Sequence, residues 1–249
     1  MDSRAQIVDA DARRVAILQS NYIPWKGYFD LIHMVDEFIL FDTAQYTRRD
    51  WRNRNRIKTH AGLAWLTIPV VVRGRYLQTI QETEIEDPSW NEIHWKTLVH
   101  NYRRARYFDT YRARFEELYL GCQERFLSRI NYRFLAAICD MLGIKTRLTW
   151  STEFPEIKGK TQRLVEWCKR LKAKEYFSGP AARDYIDDSL FAEAGITLRY
   201  MDYSGYPEYR QLHPPFDHAV SIVDLLFNEG PNATRYMKSF YNAHTGLAS

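Results

Sequence analysis

The sequence predicts an α/β protein with a parallel, Rossmann-like sheet and a helical layer at about residues 89–142. Val15–Leu18 is a buried apolar run, a helical pattern opens at Gly27, and a second apolar run follows at Phe38–Phe41. Strand, helix and strand in this order form a βαβ unit, and such units are parallel. Strand and helix patterns alternate again at 175–200, as is typical of parallel sheets. Apolar residues at a spacing of three to four predict the helical layer.

Composition favours a folded chain without a membrane-spanning helix. Apolar residues make up 45% of the 249 residues, and aromatic residues make up 15%. That aromatic content suits contacts with sugars, bases or proteins, but large rings also simply fill a core. The net charge is +4, and no apolar run approaches the ~18 residues that a spanning helix needs. The three cysteines are widely separated, which favours a reducing compartment, and we expect the cytoplasm.

The same patterns predict the domain limits. Residues 1–13 carry charges without an apolar stretch, so we expect a disordered leader and no signal peptide. A single α/β domain is predicted over 14–238, with its helical subdomain at about 89–142 and a tail at 239–249. The remaining predicted elements are strands at Trp65–Val72 and 76–86 and helices at Phe108–Leu120, Phe126–Leu142, Thr161–Leu171, Asp184–Ala194 and Ala219–Phe227. Pro69 argues against a central position for the third strand.

The turn after the first strand is the first candidate site. Ligands of open α/β sheets bind at the carboxyl ends of the strands, where Gln19 and Asn21 are predicted to lie. Gly27 would allow a ligand or a neighbouring backbone to approach closely. The turn also resembles the first motif of nucleotidyltransferases, in which two histidines flank a glycine. Here Trp25 and Tyr28 occupy the histidine positions, and neither can replace an imidazolium on a phosphate. An ordinary strand-to-helix loop is the alternative.

A carboxylate and an arginine-rich segment follow the second strand. Asp42 is placed to act as a base or to hold a hydroxyl group, and Gln45 lies close by in sequence. Residues 47–58 then contain five Arg, one Lys and one Asp. In an extended chain Arg52, Arg54 and Arg56 would share one side, suited to a phosphate or carboxylate, and Asn53 and Asn55 would face the other. A solvated basic loop is the alternative. We expect Gln19, Asn21, Asp42 and Gln45 to converge on one cleft, towards which Arg52 and Arg54 point.

Three further stretches carry candidate residues. His94 lies in a predicted helix and suits acid–base chemistry, although a lone histidine on an apolar face is more often a core residue. Gly179 follows a short strand in the second half of the chain and opens a turn able to take a phosphate. Substrate contacts are also expected from Tyr102, Tyr209 and Gln211. Structural capping explains the segment 221–224 as well as a site does.

Taken together, these stretches resemble the WbqC-like family of bacterial O-antigen and surface-polysaccharide loci. The matching segments are Gln19–Phe29, Asp42–Tyr46, Trp51–Ile57, His94–Lys96, Asn101–Tyr102, Ser178–Gly179, Tyr209–Gln211, Phe216 and Ser221–Gly230. They run in order through about 14–238. The resemblance implies a role in glycan biosynthesis, and transfer of an amino acid such as glycine onto a sugar has been suggested for such proteins. One departure is Ser20, where the family pattern has proline.

The leading hypothesis is a group transferase that acts on a nucleotide sugar or on an activated acyl or aminoacyl donor. Asp42 and His94 would perform acid–base chemistry, Arg52 and Arg54 would hold the anionic donor, and Gln19, Asn21 and Gln45 would orient the acceptor. The alternatives are a non-catalytic nucleotide- or glycan-binding protein and, ranked lower, an RNA-binding protein that uses the loop 47–58. No cofactor is assigned. The sequence shows no motif with metal-ligand spacing, no G-x-S-x-G elbow and no Walker loop.

Overall fold

The computed structural model describes residues 13–245, with side chains as far as 241, and contains a five-stranded parallel sheet. The predicted leader therefore lies almost entirely outside the described residues. The strands are β1 Arg14–Leu18, β2 Glu37–Leu40, β3 Arg54–Thr59, β4 Gly62–Thr67, β5 Arg147–Trp150, β6 Glu175–Ser178 and β7 Thr197–Tyr200. The α-helices are α1 Lys26–His33, α2 Trp90–Tyr102, α3 Phe108–Leu120, α4 Leu127–Leu142, α5 Lys160–Arg170, α6 Asp188–Glu193, α7 Ile222–Glu229 and α8 Lys238–Thr245.

The sheet has the strand order β5-β2-β1-β6-β7, and every pairing in it is parallel. Chain order runs outward in one direction from β1 through β2 to β5, and in the other direction from β6 to β7. This is the doubly wound order of Rossmann-like folds, so the predicted fold class is confirmed. The order reverses between β1 and β6. Ligands of such sheets bind at the carboxyl ends of the strands beside this reversal.

Two hydrophobic clusters cover the two faces of the sheet. Successive side chains of a strand point to opposite faces, and β1 divides its residues accordingly. Ala16 packs in the larger cluster with the α2–α4 layer, whereas Val15 and Ile17 pack in the smaller cluster with α5 and α6. In β2, Phe38 joins the larger cluster and Ile39 the smaller. The helical layer predicted at 89–142 is confirmed as α2, α3 and α4.

The segment between β2 and α2 differs from its prediction. The strand predicted at Trp65–Val72 is wrong, because the strand there is β4 at Gly62–Thr67, and it pairs antiparallel with β3 in a two-stranded hairpin. The arginine-rich segment thus forms half of a β-hairpin. The edge strand predicted at 76–86 is also wrong, since this stretch makes only isolated bridges. Its backbone donates to partners scattered along the chain, so no continuous ladder forms.

Two helices in the second half of the chain begin later than predicted. The helix predicted at Asp184–Ala194 is divided, with a 3₁₀ turn at Pro180–Asp184 before α6. Asp187 caps α6 by accepting a hydrogen bond from Ser189 N, and Gly195, with φ of 66°, follows the helix end. The helix predicted at Ala219–Phe227 is α7, which starts only after Ser221 caps it by accepting a bond from Val223 N.

Candidate functional site

The loops that leave β1 and β2 lie at the same edge of the sheet and are tied together. These strands pair in parallel with Leu18 opposite Leu40. Ser20 N donates a hydrogen bond of 2.8 Å to Asp42, and Ser128 of α4 donates a second. Asp42 is buried, and this burial raises the pKa of its carboxyl. Asp42 therefore links the loop after β1 to the end of β2 and to α4.

Arg52 joins the first candidate loop to the arginine-rich segment. Its guanidinium donates to Asn21 Oδ1 and, at 2.8 Å, to Gln19 Oε1, and it lies 3.6 Å from Asp50. Both terminal nitrogens of the guanidinium thus have partners within the protein. Arg52 orients Gln19 and Asn21, and these three predicted site residues form one cluster beside the reversal of strand order.

The hairpin separates its asparagines from its arginines, as alternation in a strand requires. Asn53 Nδ2 donates to Ile68 O at 2.8 Å, and Asn55 Nδ2 donates to Tyr22 O at 3.1 Å. Both asparagines are buried and tie the hairpin to the sheet. Arg54 and Arg56 lie on the other side, where the Arg54 guanidinium stacks 4.2 Å from the centroid of the Trp65 ring and donates to Arg49 O.

A cavity of about 310 Å³ opens between the β1–α1 loop, the hairpin and the chain before α7. Its lining residues are Asn21, Pro24, Trp25, Trp51, Asn55, Arg56, His218 and Ala219. No carboxylate is among them. Arg56 Nε and His218 Nδ1 are buried and have no hydrogen-bond partner in the described part of the chain. Buried donors and acceptors in proteins are almost always paired, so these two unpartnered atoms are unusual, and both belong to residues that line the cavity.

Electrostatics keep His218 uncharged. Burial lowers the pKa of its imidazole, the positive charge of Lys26 lowers it further, and Glu208 and Asp217 act in the opposite direction. Lys26 is itself buried, which lowers the pKa of its amine to about 8. At neutral pH His218 is therefore a neutral imidazole able to accept a proton, and the Phe216 ring packs edge-on against it with centroids 4.5 Å apart.

Gly27 affects the cavity through Trp25, which forms part of its wall. A β-carbon on Gly27 would lie 2.3 Å from the Trp25 ring, so only glycine lets that indole fold across the start of α1. Trp25 is held from its other side by edge contacts with Tyr203 and Tyr206. Gly179 follows β6 at the reversal of strand order, and a β-carbon there would meet nothing within 4 Å. It leaves open space beside the loop after β1.

His94 lies away from the cavity in a buried aromatic cluster. Its Nε2 faces Thr67 O at 3.2 Å and must donate there, because a carbonyl only accepts. Nδ1 therefore accepts from Tyr22 OH at 2.9 Å, and Tyr22 OH in turn pairs with Tyr119 OH at 2.8 Å. Burial lowers the pKa of His94 to about 4. Both ring nitrogens are occupied, so the histidine joins α2 to the hairpin and to the β1–α1 loop.

Tyr102, Tyr209 and Gln211 converge on Asp224, a fully buried carboxylate of α7. The two phenols donate at 2.8 and 2.7 Å and the amide donates at 3.0 Å. Burial raises the pKa of Asp224. Four segments distant in sequence are joined here, because Tyr102 OH also accepts from Lys58 N at 2.9 Å. Gln45 lies elsewhere, exposed, and donates to Tyr76 O at 2.8 Å.

Sequence reasoning missed Arg56 as the arginine that lines the cavity, and it missed His218 entirely. The alternation argument included Arg56 but assigned the ligand to Arg52 and Arg54. His218 carries no recognisable motif, although it lies between Phe216 and Ser221, both within matching segments of the resemblance. Only the folding of the chain before α7 against the hairpin brings it to the cavity.

Comparison with known proteins identifies the family. The sequence model of the WbqC-like protein family matches residues 19–236, which include every residue lining the cavity. The chain belongs to the WbqC-like protein family. The uncharacterized protein Rv1507c of Mycobacterium tuberculosis (strain ATCC 25618 / H37Rv) is 51% identical over 226 residues, covering 91% of this WbqC-like chain and 98% of the relative. No solved structure matches it.

Further observations on this WbqC-like chain concern membrane-spanning helices, metal ligands and cysteines. Within residues 13–245, no helix is long and apolar enough to cross a membrane. In the same range, no group of three or more His, Cys, Asp or Glu side chains is placed to hold a metal ion. The three cysteines are buried and unpaired.

Proposed function

We propose that this WbqC-like protein is a group transferase of bacterial glycan biosynthesis that binds an anionic, activated donor in the cavity beside the β1–α1 loop. The transferred group would be an acyl or aminoacyl group, such as glycine, and the acceptor a sugar or nucleotide sugar. One observation carries the proposal. Arg56, which forms no ion pair within the described residues, and His218 line a cavity that has no carboxylate in its lining.

The lining favours an anion that carries a ring or an alkyl portion. Arg56 supplies a permanent positive charge and, with its planar fork, suits phosphate or carboxylate oxygens. Asn21 is held in place by Arg52 and offers its amide nitrogen as a further donor. Trp25 and Trp51 supply the apolar surface. Small-molecule sites commonly combine largely apolar walls with a few fixed polar groups, as here.

The same residues suit the transfer step. An acceptor hydroxyl attacks the activated carbon of the donor, a bond forms to the acceptor oxygen, and the bond to the leaving phosphate or carboxylate breaks. The hydroxyl proton passes to the neutral imidazole of His218, and the negative charge gathered on the leaving group lies against Arg56. This assigns to His218 the acid–base role that the sequence suggested for Asp42 and His94.

A thermal-shift screen of phosphates, nucleotides, nucleotide sugars and acyl donors tests the binding. A ligand at 100 times its dissociation constant should stabilise the protein by roughly 2.7 kcal/mol. Arg56→Gln should weaken the best anionic ligand by more than tenfold, since a hydrogen bond to a charged group contributes about 1.5–3 kcal/mol. The matched control is Arg73→Gln, which removes an exposed arginine that does not line the cavity. Equal affinity in both variants would remove the cavity from the proposal.

A binding protein without turnover is the second candidate function. It is favoured by the tryptophan and tyrosine that stand where nucleotidyltransferases have histidines, since Trp25 serves as a wall and Tyr28 OH donates to Gln19 O at 2.9 Å. Mass spectrometry of the acceptor after incubation with the best ligand separates the two functions. A mass increase that His218→Gln abolishes supports transfer, whereas stabilisation without any product supports binding alone.

A further inference from the structure

An exposed strip of two tryptophans and two arginines continues outward from the cavity. This arginine–tryptophan strip consists of Trp51, Arg54, Arg56 and Trp65. The two indole centroids are 5.5 Å apart with their planes tilted by 38°. The Arg56 guanidinium lies 5.6 Å from the Trp51 centroid and 5.5 Å from the Trp65 centroid. Since Trp51 and Arg56 also line the cavity, the strip and the cavity form one continuous surface.

The arginine–tryptophan strip differs from the edge of the hydrophobic core in its exposed indoles and its arginines. Trp51 is 40% exposed and Trp65 is 45% exposed, although indole is one of the most apolar surfaces a protein can leave in water. Neither Arg54 nor Arg56 forms an ion pair within the described residues. The Nε atoms of both arginines are buried without a hydrogen-bond partner. Unneutralised charge beside exposed aromatic rings suits a ligand that is both anionic and flat.

We propose that the ligand of this site is a nucleotide, with its phosphates in the cavity against Arg56 and His218 and its base stacked on the arginine–tryptophan strip. This inference rests on the proposed function and specifies the chemical class of the donor. Bases stack on aromatic side chains and on guanidinium planes, and the strip supplies both. A simple acyl phosphate has no flat ring to occupy the strip.

The dimensions agree with this division of the ligand. The cavity of about 310 Å³ is at the lower end of the range for small-molecule sites, roughly 300–1,000 Å³. In this arrangement the phosphates occupy the cavity and the base lies at its mouth. Trp51 is at that mouth, because it lines the cavity and is also exposed to solvent.

Titration calorimetry with two probes separates the base from the phosphates. Nucleoside diphosphates with each of the common bases test the whole site, and inorganic pyrophosphate tests the cavity alone. We expect one nucleoside diphosphate to bind the wild-type protein at least tenfold more tightly than pyrophosphate. Trp65→Ala should weaken that nucleotide by about 5- to 150-fold, the range for loss of one stacked aromatic side chain, and leave pyrophosphate binding unchanged.

Two further variants serve as controls for this experiment. Tyr76→Ala removes an aromatic residue that is 73% exposed outside the strip and should change neither affinity. Trp65→Leu keeps apolar volume on the hairpin while removing the aromatic face, and should act like Trp65→Ala even if the alanine variant folds poorly. Far-UV circular dichroism confirms that each variant is folded.

The outcomes distinguish this inference from the proposed function. If pyrophosphate binds in an Arg56-dependent manner but no nucleotide binds more tightly, the nucleotide inference is wrong and the anionic donor site stands. Tighter binding of a ten-nucleotide single-stranded RNA than of every nucleoside diphosphate would also overturn the nucleotide inference, in favour of a nucleic-acid ligand. If neither pyrophosphate nor any nucleotide binds, both proposals fail.

Discussion

His94 is buried and His218 is partly buried, and their surroundings differ. His94 uses both ring nitrogens within the protein, whereas His218 lines the cavity and its Nδ1 has no hydrogen-bond partner among the described residues. The sequence suggested His94 for acid–base chemistry, although its position on an apolar helix face is more typical of a core histidine. What the sequence could not reveal is which histidine reaches a cavity, because that depends on contacts between segments far apart in the chain.

Stability should depend on pH through His94. Its pKa is about 4 in the folded protein and 6.5 ordinarily, because burial disfavours the imidazolium. Above pH 6.5 both states are neutral and stability is complete. As the pH falls from 6.5 to 4 the unfolded chain takes up a proton that the folded protein does not, so stability falls, by about 3 kcal/mol in total.

Urea unfolding between pH 7 and 4 measures this effect as a difference between proteins. The free energy of unfolding is plotted against pH for each protein. The wild-type curve minus the His94→Gln curve should fall only within this window. The wild-type curve minus the curve of His100→Gln, an exposed histidine of the same helix, should show no such slope. A wild-type minus His94→Gln difference that is constant with pH would show that His94 is not held neutral.

At the scale of elements, the helices were more predictable than the hairpin. Phe108–Leu120 was predicted to the residue, because its apolar spacing is regular. The hairpin was not recognised because its buried residues include Asn53 and Asn55 as well as Ile57. Both asparagine amides are buried because they donate to distant backbone carbonyls, and such pairing leaves no apolar alternation in the sequence.

The turn of this hairpin depends on Gly62. Its φ is +107°, a conformation that L side chains rarely adopt, and a β-carbon there would meet nothing within 4 Å. Gly62→Ala should therefore destabilise the protein through backbone strain alone, by about 1–2 kcal/mol in urea unfolding. Gly179→Ala is the matched control, since its φ is −70° and its surroundings are equally open. A loss of stability that is equal in both would locate the cost elsewhere than in the backbone angle.

At the scale of the whole molecule, the sequence predicted the parallel sheet but not the assembly of the cavity. The βαβ pattern and its echo at 175–200 lie within short stretches, and they reproduce four of the five sheet strands. The cavity instead joins the β1–α1 loop, the hairpin and residue 218. Parallel strands bring their following loops to one edge, and the structure places Gln19 and Asn21 beside Arg52 there, whereas Gln45 of the predicted cleft lies elsewhere. No such rule places His218.

The two hydrophobic clusters should unfold as one unit, because they share strands. Val15, Ile17 and Ile39 of the smaller cluster alternate along β1 and β2 with Ala16 and Phe38 of the larger, so loss of either face removes support from the same backbone. Disruption of one cluster should then lower the opening free energy of both. The alternative, two halves that open separately, predicts an effect limited to the disrupted cluster.

Val165→Ala provides the test. Val165 is 2% exposed within the smaller cluster, and loss of its two methyl groups should lower stability by about 2 kcal/mol. Hydrogen exchange measured by mass spectrometry at increasing urea concentration should show this loss in peptides from α5 to β7 and equally in peptides from α2 to α4, which contain no atom of the altered cluster. An unchanged opening free energy in α2–α4 would show that the helical layer and the second half of the sheet are separate cooperative units.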